Sequence, residues 1–416
     1  MAEHFDTLET RDPELRERTQ FADLARQVAH AQAASRAFAK ILAGVDAAAV
    51  NSRAALAKLP VTRKSALLDI QKGDRPFGGL AATRWGLARR VFASPGPIYE
   101  PESARPDHWR LARPLFAAGF RAGDLIHNCF SYHFTPAGSM LETGAHALGC
   151  TVFPGGIGQT EQQVQAIAEL QPDGYVGTPS FLRIILENAD ERGVELPSLT
   201  KALVSGEAFL PPLRDALAAR GIRGYQAYAT ADLGTIAYET SARDGLVVDE
   251  GVIVEIVRPG TGDPVAPGEV GEVVVTSLYN ADYPLIRFGT GDLSALLAGA
   301  SACGRTNMRI KGWMGRADQT TKIKGMFVHP EQVATIVRRY PAITRARLIV
   351  DNPDGNDRMT LHVEIATIGE GEATLTAEAI QMTIRDVTKL RGEVAFRRPG
   401  ELPNDGKVID DTRKFD

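Results

Sequence analysis

Four short polar stretches carry residue types that could do chemistry. In Arg287-Phe288-Gly289-Thr290-Gly291-Asp292-Leu293 an acid sits in a glycine-rich turn after an apolar run. A carboxylate there can accept hydrogen bonds from the vicinal hydroxyls of a ribose, and glycine lets a ligand approach closely. Asp292 could equally cap an ordinary turn. In Tyr228-Ala229-Thr230-Ala231-Asp232-Leu233-Gly234, Asp232 follows an expected strand end, a place suited to holding Mg²⁺ beside phosphates. The polar segment Gly315 to Gly325, bracketed by glycines, suits a hinge or a linker. In Pro403-Asn404-Asp405-Gly406-Lys407 a lysine beside glycine could neutralise developing negative charge, or simply be a solvated tail residue.

These stretches need elements to position them, and the chain is long enough to supply two or three domains. Its 416 residues are 44% hydrophobic and 24% charged. That excludes a largely disordered chain, a collagen and a small disulfide scaffold. With 47 basic and 51 acidic side chains the net charge is -4, so no overall basic field recruits nucleic acid or anionic lipid. Cys129, Cys150 and Cys303 form no CxxC pair, which suggests a reducing compartment. The charged start, Met1 to Arg18, lacks the apolar core of a leader. No apolar run of about 18 residues suggests a membrane span. A soluble cytoplasmic protein is the expectation.

Apolar spacing predicts helices over the first 70 residues, with one running from Phe21 to Leu42. From about Val91, short apolar runs alternate with helical stretches. Strands are expected at Cys150–Pro154, Gly174–Gly177 and Lys201–Val204. The intervening helices are Thr160–Leu170, opened by a Thr160/Gln163 capping box, and Phe181–Ala189. This alternation argues for parallel strands with helical crossovers. Near residue 245 the pattern turns β-rich: Leu246–Val257 and Gly271–Leu278 flank Arg258-Pro259-Gly260-Thr261-Gly262-Asp263, as in a hairpin. The last hundred residues read β-α-β-β-α-β, beginning with a strand at Thr321–Val328, which is the order of a ferredoxin-like unit.

In their order and spacing these stretches resemble the adenylate-forming enzymes of the acyl-CoA synthetase superfamily, nearest the phenylacetate–CoA ligase branch. The resemblance also takes in Gly149 to Pro154, Thr178-Pro179-Ser180 and Pro284-Leu285-Ile286-Arg287-Phe288. It implies an α/β fold in which residues 1–317 form a large adenylation domain, with mixed parallel sheets and a β-rich subdomain. Residues 318–416 would form a small α+β, ferredoxin-like, mobile lid. It implies ATP, Mg²⁺ and CoA as cofactors and, as substrate, a small carboxylic acid of aromatic, phenylacetate-like type. It implies no nucleic acid or membrane partner and leaves a homodimer open.

The two-step reaction it implies makes an acyl-adenylate and then a thioester. Asp292 would bind the ribose. Ser205, Gly206 and Glu207 would line the adenine pocket beside Tyr228 and Ala229, and Asp232 would hold Mg²⁺. Arg316 would lie near the phosphates, Asp318 at the hinge and Gly325 along the CoA tunnel. Lys407 would be the catalytic lysine, and Tyr132 and Phe134 would enter the acyl pocket, while His133 is as readily structural. A carrier-protein thiol or an amine could replace CoA as acceptor. A non-catalytic relative that binds AMP or an acyl-CoA is a further alternative.

The chain departs from the family pattern at the phosphate loop, usually Ser-Ser-Gly-Thr-Thr-Gly-Lys-Pro. Here it reads Ser94-Pro95-Gly96-Pro97-Ile98-Tyr99-Glu100-Pro101. Ser94 and Gly96 remain, but two prolines lack N–H donors and Glu100 replaces the lysine. Asp232 stands for a glutamate, Ala229 for a glycine, Gly289 for an arginine and Gln319 for an acid. Positions that hold a Cys/His zinc cluster in some relatives are here Thr240, Arg243, Ser301 and Cys303. No zinc is expected there, because one thiol cannot make a four-ligand site.

Overall fold

The computed structural model describes all residues except 1–2, 259–260, 315–316, 318–320, 324–325, 329, 354–356, 366–369, 404–406 and 414–416. The chain divides into two compact units, Met1–Met314 and Gly315–Asp416. Among the described residues no helix is long and apolar enough to cross a membrane.

The first unit opens with the helix Pro13–Ala34, which Asp12 caps by accepting from the Leu15 N–H. The helix expected over Phe21–Leu42 is broken. Ser35 leaves helical geometry, ends this helix and caps the next, Arg36–Ile41. Its hydroxyl takes the Phe38 N–H while it donates to the Gly79 carbonyl. A serine that satisfies two elements at once makes a sharper corner than apolar spacing alone reveals.

The strands of this unit are β1 (Thr62–Arg63), β2 (Arg90–Ser94), β3 (Ile98–Glu102), β4 (Leu125–Asn128), β5 (Thr151–Phe153), β6 (Gly174–Gly177) and β7 (Lys201–Val204). They continue as β8 (Arg223–Thr230), β9 (Gly234–Glu239), β10 (Leu246–Val248), β11 (Val252–Val257), β12 (Val270–Ser277), β13 (Phe288–Leu297) and β14 (Arg309–Ile310). β2 and β3 pair only with each other. The rest form a twelve-stranded sheet in the order β11-β12-β13-β14-β10-β9-β8-β7-β6-β4-β5, with β1 added to β13.

From β8 to β5 all pairings are parallel. Helices Ala137–Leu148, Thr160–Leu170, Pro179–Glu191 and Pro211–Ala219 make the crossovers. Met140, Leu141 and Ala145 pack on one face with Val176 and Leu203. Val164, Ile167, Leu182 and Ile185 cover the other with Ala202 and Val204. The capping box at Thr160 does not form. Gln163 instead bonds the Gly155, Gly156 and Gly158 carbonyls and His127, because the preceding glycine loop needs a donor.

Antiparallel pairing begins at β9, eleven positions earlier than the composition shift suggests. The cause is a tight β8–β9 turn at Asp232, closed by Gly234. That residue has φ +72, and a Cβ there would meet the Trp109 carbonyl oxygen at 2.6 Å. The hairpin expected after residue 245 is present as β11–β12, in register Val252↔Ser277.

Arg287 binds the N-terminal segment to this β-rich half. Its guanidinium is buried and donates to Glu255 at 3.0 Å and to the carbonyls of Ala57, Leu59 and Gly262. Its own carbonyl accepts from Thr62, which starts β1 alongside β13. Gly289 permits that approach, since a Cβ there would stand 2.7 Å from Glu272 and 3.1 Å from Val61.

In the second unit, Thr321–Val328 is a hairpin of two short strands, β15 (Thr321–Ile323) and β16 (Met326–Val328). It stays out of the four-stranded sheet formed by β17 (Ile343–Asp351), β18 (Arg358–Ile365), β19 (Glu393–Arg397) and β20 (Ile409–Asp411). The sheet order is β19-β18-β17-β20, so the sheet gains a C-terminal strand, β20, parallel to β17, that the β-α-β-β-α-β pattern did not include. Helices Pro330–Arg338 and Glu370–Thr388 supply Val333, Ile336, Ile380 and Ile384 to its core.

Replacing Arg287 by Met leaves Glu255 buried without its partner. The first unit should lose about 3–5 kcal/mol in urea unfolding. The double variant Arg287→Met/Glu255→Met should lose clearly less, since no orphaned charge remains.

Candidate functional site

The parallel strands β4, β6, β7 and β8 end together, and the chain reverses direction across the sheet between β4 and β6. Open α/β sheets bind ligands in such a crevice. A cavity of about 200 Å³ lies at these carboxyl ends. Phe130 follows β4, Ser205 and Gly206 follow β7, Ala229 and Thr230 end β8 and Ala231 follows it; all line the cavity. Leu111, Met140, Leu141 and Leu203 make its floor apolar, and Ser94 and Pro95 of the β2–β3 turn close one side.

Of the residues expected at a nucleotide, Ser205, Gly206 and Ala229 line this cavity, whereas Glu207, Tyr228, Asp232 and Asp292 are not among its lining residues. Ser205 donates to the Ala227 carbonyl at 2.7 Å, which fixes the strand end. Exposed Glu207 accepts from the Ser180 N–H at 3.3 Å, tying the β7 loop to the helix after β6. Tyr228 donates to Asp292 Oδ2 at 2.8 Å. Trp313 Nε1 donates to Asp292 Oδ1 at 3.1 Å. The Asp292 carboxylate is therefore held at both oxygens. Trp313 was not legible as a site residue: it lies 21 positions beyond Asp292 in an irregular segment with no motif. Its half-exposed ring is the one sign, in retrospect, of a surface for a ligand.

The structure does not bring Tyr132 and Phe134 to the cavity. Tyr132 accepts from Asn128 at 2.8 Å, and Phe134 is 82% exposed. Phe134 has φ +61, and its carbonyl accepts from Ala93 of β2, so the loop turns outward over the hairpin. Phe130 is the aromatic of that stretch that enters the cavity. Lys407 belongs to the second unit, where it is exposed and donates to Asp410 at 3.2 Å. Arg316, Asp318 and Gly325 lie outside the described residues.

The stretch in the place of the phosphate loop is a β-hairpin of β2 and β3. Ser94 donates its hydroxyl to Glu100 at 2.5 Å, so the retained serine is turned to the replaced lysine position. Burial pushes the Glu100 carboxyl up to about 8, and the charge on Asp232 adds to the rise. Asp232 is itself buried and accepts from Lys64 at 2.5 Å. Lys64 immediately follows β1, a segment no motif marked.

These residues do not fit a resident Mg²⁺ on Asp232. Such an ion needs near-octahedral oxygen coordination. One Asp232 oxygen is taken by an ammonium and the other is a single buried atom. Glu100 is held toward its neutral form. Among the described residues no group of three or more His, Cys, Asp or Glu is placed to hold a metal. At the positions that match a zinc cluster elsewhere, Ser301 bonds Asp244 and Cys303, and Arg309 pairs with Asp244 at 2.9 Å. Arg243 lies over the Tyr225 ring, and Thr240 caps the turn by accepting from the Ala242 N–H.

A family model for the AMP-binding enzymes matches residues 108–281. Phenylacetate–coenzyme A ligase of Thermus thermophilus is 31% identical, over 87% of this chain and 87% of that protein. The one from Aromatoleum evansii is 33% identical, over 77% of this chain and 75% of that protein. The chain belongs to the phenylacetate–CoA ligase family of AMP-forming enzymes. Its activity class is that of an acid–CoA ligase. The fold of this ligase matches 2-hydroxyisobutyryl-CoA ligase, solved with 2-HIB-AMP and CoA. The TM-score is 0.74 at 22% identity, over 98% of this chain and 92% of that one.

The Glu100 carboxyl has a pH consequence. Its folded-state value of about 8 lies above the ordinary 4.5, so between them the folded protein binds the extra proton. Stability from this group therefore falls as pH rises through that window. Relative to the parent, Glu100→Gln should gain on the order of 3 kcal/mol between pH 5 and pH 9 in urea unfolding. A constant difference across that range would contradict the assignment.

Proposed function

We propose that this ligase adenylates a small aromatic carboxylate with ATP and passes the acyl group to CoA. The cavity is the observation that carries the substrate class. A hydrocarbon-lined void of about 150 Å³ holds a benzene ring. The cavity here is about 200 Å³ with a Phe, Met and Leu lining, room for a ring and a short acid arm. Its polar side, Ser94, Ser205 and Thr230, is where a carboxylate would meet the nucleotide.

In this reading Asp292 accepts the ribose hydroxyls while Tyr228 and Trp313 hold it in position. Ser205, Gly206, Glu207 and Ala229 border the adenine. The acid's carboxylate attacks the α-phosphorus, the bond to the β-phosphate oxygen breaks, and pyrophosphate leaves with the electron pair. Lys407, carried on the C-terminal lid, would neutralise charge that develops on the α-phosphate. CoA thiolate then attacks the acyl carbon and AMP leaves. Arg316, Asp318 and Gly325 would serve the phosphates, the hinge and the CoA tunnel. Divalent metal enters as the counterion of the ATP substrate.

The Ser94–Glu100 bond supports a second reading, in which the chain binds AMP or an acyl-adenylate without making it. ATP–pyrophosphate exchange with a panel of aromatic and aliphatic acids separates the two. Acid-dependent exchange is expected, strongest with arylacetates or benzoates, and at least about 100-fold lower in Lys407→Ala. Exchange near the parent rate in that variant would defeat the role of Lys407. No exchange with any acid, alongside AMP binding, would favour the second reading. Asp292→Ala should weaken AMP binding by about tenfold or more in calorimetry.

A further inference from the structure

Among the described residues the cavity is lined by no charged side chain, so an anion inside it depends on neutral donors. Few are on offer. Pro95 has no N–H to give, and the Ser205 hydroxyl is committed to the Ala227 carbonyl. Ser94, at the end of β2, lines the side where the acid's carboxylate would meet the nucleotide. The direction of its hydroxyl proton decides whether the cavity gains a donor there.

Glu100 controls that direction. It lies across the β2–β3 hairpin, is 1% exposed, and has Ser94 as its one hydrogen-bond partner among the described residues. The Ser94 N–H points to Oε2 at 3.3 Å, and the Ser94 hydroxyl oxygen lies 2.5 Å from Oε1. Two charged groups face the carboxyl: Asp232 of the β8–β9 turn, and Lys64, which follows β1 and is paired with Asp232. Enclosed Tyr283 feels both carboxyls as well. Burial and the Asp232 charge keep Glu100 protonated up to about pH 8. The proton belongs on Oε1, since Oε2 already accepts from an N–H. The carboxyl then donates to the Ser94 oxygen, and the serine's own proton turns into the cavity. When Glu100 ionises, the serine turns back to donate to it, and the cavity loses that donor.

We infer that Ser94 is the donor that receives the substrate's carboxylate, and that Glu100, through the proton it holds, is its positioning residue. The glutamate in the lysine's place is then a working part of the hairpin, and acid binding weakens as that proton is lost. The inference rests on the acid-binding reading of the cavity above, and its test reads binding apart from turnover.

Calorimetry on the full chain with phenylacetate, and separately with its neutral amide, phenylacetamide, reads the assignment between pH 6.5 and pH 9.5. Phenylacetate stays ionised throughout. Parent affinity for it should fall by about tenfold or more across that range, while affinity for the amide stays within about threefold. Glu100→Gln sets its amide oxygen on the Ser94 N–H and its NH₂ on the hydroxyl, as the neutral carboxyl does. It should flatten the profile and bind phenylacetate at pH 9.5 about tenfold more tightly than the parent does. Ser94→Ala should bind phenylacetate about tenfold more weakly than the parent at pH 6.5, with a flat profile. Should Ser94→Ala fail to fold, the Glu100→Gln profile decides. A flat parent profile, an equal fall for the amide, a Glu100→Gln profile as steep as the parent's, parent-like binding by Ser94→Ala, or no phenylacetate binding by the parent would each overturn the inference. Acid-dependent ATP–pyrophosphate exchange by the parent is scored separately. Exchange alongside binding that ignores Ser94 would sink the inference and leave the proposed reaction standing. No exchange, with the Glu100-dependent profile present, would do the reverse.

Discussion

The buried Arg287 guanidinium is the constraint from which the site is built. It joins Glu255 of β11, the Gly262 turn and the carbonyls of Ala57 and Leu59. Burial holds Glu255 above the usual carboxylate range, with Arg287 pulling it back. A charge can remain in such a place only when its donors are satisfied, and here four acceptors surround it. The backbone of the same residue pairs with Thr62, so β1 is laid against β13 in one register. Two residues beyond Thr62 stands Lys64, and five beyond Arg287 stands Asp292. One arginine therefore positions a cation and a carboxylate that are 228 residues apart in sequence.

The cavity is lined mainly by apolar side chains, and a cluster of ionisable groups stands behind the β2–β3 hairpin. In the cavity, Phe130, Met140, Leu141 and Leu203 define a volume by packing, so shape and size govern what enters. In that cluster Lys64 pairs with Asp232, and the Glu100 carboxyl is pushed toward its neutral form. A neutral Glu100 with a paired Asp232 presents little net repulsion to an anion; an ionised Glu100 would present more. Electrostatics there are therefore more sensitive to alkaline pH than a lysine-bearing loop would be.

Much of the fold was legible in the sequence because periodicity and turn chemistry are local. The βα alternation from residue 150, the β11–β12 hairpin and the small C-terminal α+β unit follow from apolar spacing and turn residues. What local pattern missed was decided by partners far along the chain. Ser35 breaks a helix because Gly79 lies beside it. Gln163 leaves its helix end for the glycine loop at 155–158. β20 joins the sheet beside β17, while Thr321–Val328 pairs only within its own hairpin.

The same division holds for the site. Asp292, Ser205, Gly206, Tyr228 and Asp232 announce themselves by residue type, turn context and family order, which sequence retains. Lys64 and Trp313 do not, since an isolated lysine and an isolated tryptophan have no pattern until a carboxylate stands opposite. The outward turn of Phe134 likewise depends on packing of one loop against a hairpin about 40 residues upstream. By itself the sequence determined the family, the reaction class and the order of the elements, because motifs and periodicity are carried by neighbours in the chain. The tertiary structure alone decided which cation meets Asp232 and which aromatic lines the cavity, because those contacts form only when distant backbone segments are brought into register.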